Sequence, residues 1–261
     1  MKYKILLFFI TMLFSEFAFA NTPLIIVRGD ADYEPNEFTK NGKLVGLHID
    51  TVDAVMKKLN WSYKFESYPW GRALNLIQKG EADAITYIES NPERESYAYF
   101  EPESIISEGH FSFWILNENK DKFRFSGDIN SFVKNISNLG LISHYNYTDN
   151  IMKSSVYKEW NKNESIAAKK LKSKRLDVYY GEFQVFNGVV KELNLQNDLI
   201  ELQPPVMNVK NYIAFSKKGT KTEEEKQLAK KRSLAFEKAL AIFKKSDEYK
   251  IILKKYNIVL K

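Results

Sequence analysis

LIIVRGDADYEPNEFTKNGKLVGLHIDTVDAVMKKLNWSYKFESYPWGRALNLIQKGEADAITYI, residues 24–88, is the stretch that decides the fold. Leu24 to Val27 is a short apolar run of the kind a buried strand needs. A polar loop with Asp30, Asp32, Tyr33 and Pro35 follows, and Asn41-Gly42 signals a turn. From Leu47 to Leu59 the apolar residues Ile49, Val52, Val55, Met56 and Leu59 recur at helical spacing. Ser62 to Glu66 alternates as a strand does. Trp70 to Lys79 returns to helical spacing and stops at Gly80, which is free to take the left-handed backbone that ends a helix. Ala82 to Ile88 is the third strand. The order βαβαβ predicts a mostly parallel sheet with helices on both faces, because parallel neighbours need a crossover and the crossover helix packs back on the sheet.

Beyond it, His110 to Leu116 (HFSFWIL) predicts an aromatic strand, and the polar stretch Asn117 to Lys122 precedes a second α/β series. Strands are expected at Gly140–Ser143 and Leu176–Tyr180, and helices at Thr148–Trp160, Ile166–Lys172 and Phe183–Leu193. Tyr212 to Ser216 is a return strand ended by Gly219. Glu223 to Tyr256 is helical with a break near Ser246-Asp247, where the serine is placed to cap the last segment. Periodicity fits one doubly wound domain or two lobes; the branch point at Asn117–Lys122 favours two.

Lys2 and Lys4, the apolar run Ile5–Leu13 and the small-x-small box Ala18-Phe19-Ala20 stand in the order of a signal peptide cut after residue 20. No later apolar stretch reaches membrane-spanning length. The 261 residues contain no cysteine, which excludes a disulfide framework, a thiolate metal site, a cysteine nucleophile and a lipid anchor at the cleavage point. A leader without an anchor points to the periplasm. Removing Lys2, Lys4 and Glu16 leaves 37 basic and 32 acidic side chains, a net charge of about +5. The densest basic run, Lys217 to Arg232, is interrupted by Glu223 to Glu225 and reads as a solvated helix face. Nucleic acid is not expected as a partner, since the basic residues are not interleaved with aromatics on one stripe.

Six motifs in order resemble those of the bacterial periplasmic solute-binding proteins of family 3, which bind polar amino acids for ABC importers. Asp30-Ala31-Asp32-Tyr33-Glu34-Pro35 is similar to that family's D-x-x-Y-x-P, and Gly42 to Asp50 to its G-x-L-V-G-F-D-x-D. Gly80 to Ala84 is similar to G-x-x-D-A, Asn91-Pro92-Glu93-Arg94 to T-P-E-R, Lys174 to Val178 to G-R-I-D-A, and Tyr212 to Gly219 to the return strand. The resemblance implies a type II periplasmic binding fold: two lobes, each a mostly parallel sheet flanked by helices, joined by two hinge strands. Residues 21–112 with 212–261 would form one lobe and 115–209 the other, closing on a ligand between them. It also implies a monomer that delivers a small-molecule ligand to a membrane ABC permease, without a cofactor or metal.

Carried over position by position, the resemblance makes Arg94 the group that holds a ligand carboxylate, through two parallel charge-assisted hydrogen bonds lysine cannot copy. Glu182 falls where an acid binds an amino group, although that acid is usually the shorter Asp. Tyr33 and Trp70 match rings that sandwich the ligand. Asp30 ends the first strand, where open α/β sheets place ligands. Tyr87-Ile88-Glu89-Ser90 and Ser143-His144-Tyr145-Asn146-Tyr147 replace the family's hydroxyl and Q-G-T-T segments; the latter is similar to the G-Y-x-Y of a divergent branch that also carries W-x-R-A-L, as at Trp70 to Leu74. Tyr87, Tyr145 and Tyr147 therefore join the expected cleft, which suits a flat or cationic polar solute. Arg72, in the first turn after Trp70, is read as pairing locally.

Two other functions compete. Glu89 and Glu182 are placed to serve as acid and base in a dehydratase-like enzyme, but no nucleophile elbow, phosphate loop or HExxH motif is present and His48, His110 and His144 lack metal-ligand spacing. No fused catalytic domain is expected after Lys261. The other is a sensor that presents its ligand-bound form to a membrane receptor. The expectation is non-catalytic capture of an amino acid or amino-acid-like carboxylate.

Overall fold

The apolar run at Leu24 forms β1 (Leu24–Gly29), which pairs in parallel on both sides with β4 (Tyr63–Tyr68) and β5 (Ala84–Ile88). Ile26 and Val27 are fully buried because such a strand is covered on both faces. The computed structural model describes residues 22–219 and 221–258, so the expected signal peptide, residues 1–20, lies outside the described residues. β2 (Phe38–Lys40) and β3 (Lys43–Val45) form a separate hairpin around the Asn41-Gly42 turn. Helices Leu47–Lys58 and Trp70–Lys79 cross over between the parallel strands. Gly80 ends the second with φ 72°, and a Cβ there would sit 2.9 Å from the Lys218 backbone, so both its conformation and its neighbour require glycine.

β6 (Ala98–Tyr99) is a short addition beside the long β12 (Met207–Ser216), which pairs antiparallel with β5 and with the longer β7 (Ile105–Leu116). β7 continues the sheet into β10 (Val178–Glu182), which is parallel to β8 (Asn138–Ile142), itself parallel to the edge strand β9 (Tyr157–Asn161); β11 (Leu199–Glu201) pairs with β7 alone. The order β4-β1-β5-β12-β7-β10-β8-β9 therefore consists of two parallel groups bridged by two long antiparallel strands. This is the expected type II periplasmic binding arrangement.

Apolar residues pack on either side of that bridge, in two clusters on each side. Ile106, Ile213 and Phe215 belong to the core of the N-terminal group with Val52, Val55 and Phe236. Phe111, Phe113 and Val209 belong to the other with Phe132, Leu139 and Tyr180. The passage in β7 thus lies between Ile106 and Phe111. The C-terminal helices Glu223–Phe243 and Asp247–Lys255 return to the first core. Thr222 and Glu225 close a capping box on the first, and Ser246 caps the second as the sequence led us to expect.

One expectation fails. Thr148–Trp160 is not a single helix: it divides into helix Asp149–Lys153 and strand β9. The Ser154 hydroxyl bonds the Ile151 carbonyl and closes the helix, and pairing with β8 along five residues captures the rest.

Candidate functional site

Gly29 ends β1, and Tyr33 follows in the loop, where a bridge to Glu37 fixes the turn. Trp70 opens its helix after Pro69. Tyr87 lies in β5 with φ 55°, next to an irregularity in the pairing of β5 with β12. A non-glycine residue in that region is strained, and irregular pairing is a device for turning a side chain out of a strand's alternation. Arg94 stands on helix Pro92–Tyr97, whose cap, Asn91, accepts the Arg94 backbone N–H at 2.8 Å. From the other lobe, the loop after β8 carries His144, Tyr145 and Asn146, and β10 ends at Glu182.

These elements meet around a partly open cavity with about 450 Å³ of unfilled space, some of it continuous with solvent. Its first-lobe wall is Gly29, Tyr33, Glu37, Trp70, Tyr87, Glu89 and Arg94; Tyr145, Asn146, Glu182 and Val185 form the other. The position, at the C-terminal ends of parallel strands from both groups, is where α/β sheets place ligands.

Contacts cross the cavity directly. Trp70 Nε1 and Arg94 Nη2 both donate to the His144 carbonyl, each at 3.3 Å. Tyr33 and Tyr145 hydroxyls stand 3.5 Å apart. Tyr87 donates its hydroxyl to Glu182 Oε1 at 3.1 Å. His144 reaches its position with φ 67°. Of the eight non-glycine residues with positive φ among the described residues, Tyr87 and His144 are the two aromatic ones, and both face this cavity or its closure.

A buried polar chain ties the site to the hinge. Glu37 accepts from Arg28 Nε at 2.9 Å and contacts His48 Nδ1 at 3.2 Å. His48 Nε2 reaches Ser107 on β7 at 2.8 Å. Asn211 on β12, the register partner of Ser107, donates to it and to Glu182 at 3.4 and 3.2 Å. Burial pushes the Glu37 carboxyl up, but the bond and charge of His48 and the charge of Arg28 outweigh it and hold Glu37 below the usual range.

The unpaired acids behave oppositely. Burial raises Glu182 to about 8, with the nearby Glu89 charge adding to the shift and bonds from Asn211 and Tyr87 opposing it. Burial raises Glu89 to about 7 against the charge of Arg94 and a bond from Asn146. Arg94, only 6% exposed, has its guanidinium 5.8 Å from the Trp70 ring centre, and burial lowers its pKa against the charge of Glu89.

Six of the eight residues singled out in the sequence therefore line one cavity: Tyr33, Trp70, Tyr87, Arg94, Tyr145 and Glu182. Asp30 does not; it is exposed one residue beyond Gly29, where the chain turns away into the Tyr33 loop. Tyr147 is turned into the second core, its hydroxyl bonded to the Ile142 backbone. Arg72 stacks on Tyr68 at 4.7 Å, outside the cavity. Sequence reasoning missed Glu37, Asn146 and the carbonyl of His144. Glu37 carries no motif of its own, and a carbonyl's role has no side-chain signal. No group of three His, Asp or Glu fit to hold a metal ion, and no helix long and apolar enough to cross a membrane, occurs among the described residues.

A family model for bacterial extracellular solute-binding proteins, family 3, matches residues 25–258. Comparison with curated proteins gives no match. Among solved structures, a histidine kinase sensor domain with similarity to periplasmic binding proteins superposes with a TM-score of 0.71 at 17% identity, covering 93% of this chain and 99% of that one. The arginine-, lysine-, histidine-binding protein ArtJ from Geobacillus stearothermophilus gives 0.70 at 19%, covering 90% and 95%. An ancestral arginine-binding protein bound to arginine gives 0.69 at 21%, covering 91% and 99%. At these identities the likeness is one of fold.

Proposed function

Because this chain belongs to the bacterial extracellular solute-binding proteins of family 3, we propose that it captures a small polar solute, an amino acid or an amino-acid-like molecule, between its two lobes. It then delivers the solute to an ABC permease. The setting is the periplasm, reached through the leader at residues 1–20, and the capture is non-catalytic. The observation that carries this reading is the cavity in which Arg94 of one lobe and Glu182 of the other face the same space between the rings of Tyr33, Trp70, Tyr87 and Tyr145. Closure gives every polar contact there a water-poor setting, in which charged hydrogen bonds strengthen. The lobes pivot where β7 and β12 pass between the cores, near Ser107 and Asn211.

The test is a thermal-shift screen of refolded, ligand-free protein against amino acids, amines and small organic acids. A solute at a hundred times its Kd adds about 2.7 kcal/mol to stability, equivalent to a rise of about 5–11 °C for a chain this size. A panel without any shift would refute solute capture.

A second output, signalling to a membrane receptor, is favoured by one observation: the histidine kinase sensor domain shares the fold over 99% of its length. The neighbouring genes distinguish the two, a permease and ATPase for import or a kinase for sensing.

A further inference from the structure

The donors and acceptors around the cavity do not balance. Arg94 supplies the cationic donors, and each terminal nitrogen already gives one of its two N–H groups to a backbone carbonyl. Nη1 donates to Glu89 O at 2.9 Å and Nη2 to His144 O at 3.3 Å. The two hydroxyl protons placed by the structure are spent on acids as well, Tyr87 on Glu182 and Tyr145 on Glu164. Against this stand the carboxyls of Glu89 and Glu182, whose hydrogen bonds come from neutral groups, Asn146 for the first and Asn211 and Tyr87 for the second. None of the ion pairs among the described residues involves either acid, whereas the third lining acid, Glu37, is paired with Arg28 and His48. The ring faces of Tyr33, Trp70, Tyr87 and Tyr145 add surfaces that attract cations.

Resting on the binding function proposed above, we infer that the solute is a cationic amine or guanidine. Its charged head meets Glu89 and Glu182 between the rings, and its recognition does not require a carboxylate. Arg94 acts chiefly as a staple between the lobes, through the His144 carbonyl. Among the described residues, Glu182 is buried with no cation beside it, Glu89 is half-buried with only the charge of Arg94 nearby, and neither stands in an ion pair; a cation bearing several N–H donors relieves the cost of burying such acids. Burial raises both acids, consistent with that demand.

Calorimetric titration of the refolded, full-length mature protein with matched pairs is the test: arginine against agmatine, lysine against cadaverine, with glutamate and glutamine as further probes. The decarboxylated partner should bind at least as tightly as its amino acid, and Glu182→Gln or Glu89→Gln should weaken it tenfold or more. A decarboxylated partner more than tenfold weaker than its amino acid would overturn the inference. So would binding of glutamate or glutamine with none of the four cations; in both cases solute capture itself stands. Silence from all six probes together with an empty thermal-shift screen would sink both. The wild-type comparison needs no variant, so a misfolded substitution does not decide the matter.

Discussion

Replacing Glu37 by Gln should be far more damaging than its single lost charge suggests. Arg28 is 1% exposed and its guanidinium relies on the Glu37 side chain, the Glu37 carbonyl, the Ala31 carbonyl and Ser67. Glu37→Gln preserves shape and leaves that cation without a countercharge in the core, while the adjoining His48 loses its carboxylate partner. Orphaning a buried charge costs about 3–5 kcal/mol. At about 2–4 °C per kcal/mol for a chain of this length, Tm should fall by about 6–20 °C. The pair, however, is expected to be worth less than the orphan costs. The double variant Arg28→Met/Glu37→Gln should therefore be less destabilised than the sum of its singles, by about 0.5–3 kcal/mol of coupling. The sign with pH is also fixed. The Glu37 carboxyl is held below its ordinary value of 4.5, so its contribution is present above that value and lost as pH falls through the lowered one. Calorimetric melts of the four proteins from pH 3 to 7 measure all of this. A single-variant fall under about 3 °C, set against the range above, or strict additivity in the double, would refute the reasoning.

Glu182 and Glu89 should act in the opposite direction. Their folded values are raised to about 8 and about 7, so stability is fully present below the usual carboxylate value and lost as pH climbs through the raised ones. Ligand-free protein should lose Tm between pH 5 and 8, and Glu182→Gln should flatten that decline. The facing groups are Tyr87, Asn211, Glu89 and Glu164 for Glu182, and Arg94 and Asn146 for Glu89; an identical slope in the variant would contradict it. Arg94→Ala should weaken whichever solute binds by about tenfold or more, since a hydrogen bond from a charged donor contributes about 1.5–3 kcal/mol and the His144 link is lost. Unchanged affinity by calorimetry would remove Arg94 from closure. His144→Gly should raise Tm by a few degrees or leave it unaltered, because glycine relieves a left-handed backbone that costs other residues about 1 kcal/mol; a large fall would show the imidazole, near Gly71, to matter more than the backbone.

Most of the fold was legible because its signals are local and redundant. Apolar runs in β1 and β5, helical periodicity from Leu47 and from Trp70, and Gly80 and Ser246 as terminators all say the same thing as the final packing. β9 was not legible: Tyr157 to Asn161 has neither an apolar run nor clean alternation, and only pairing with β8 makes it a strand. The site was legible where a side chain does the work, as at Arg94, Trp70 and Glu182. It failed at Tyr147, where an aromatic two residues from Tyr145 in an irregular loop points to the core instead of the cavity. It failed also at Glu37 and His144, whose roles depend on partners distant in sequence: Arg28, His48 and the two donors that share the His144 carbonyl.

Capture as proposed depends on the lobes closing over a solute, and distance measurement between them tests it most directly. The chain has no cysteine, so spin labels on Asn75→Cys, exposed on helix Trp70–Lys79, and Lys169→Cys, exposed on helix Glu164–Lys172, would be the only ones present. Pulsed dipolar spectroscopy should show the short-distance population growing when the solute that raises Tm is added to saturation. A distance distribution that stays the same while that solute is demonstrably bound would contradict closure as the mechanism of capture.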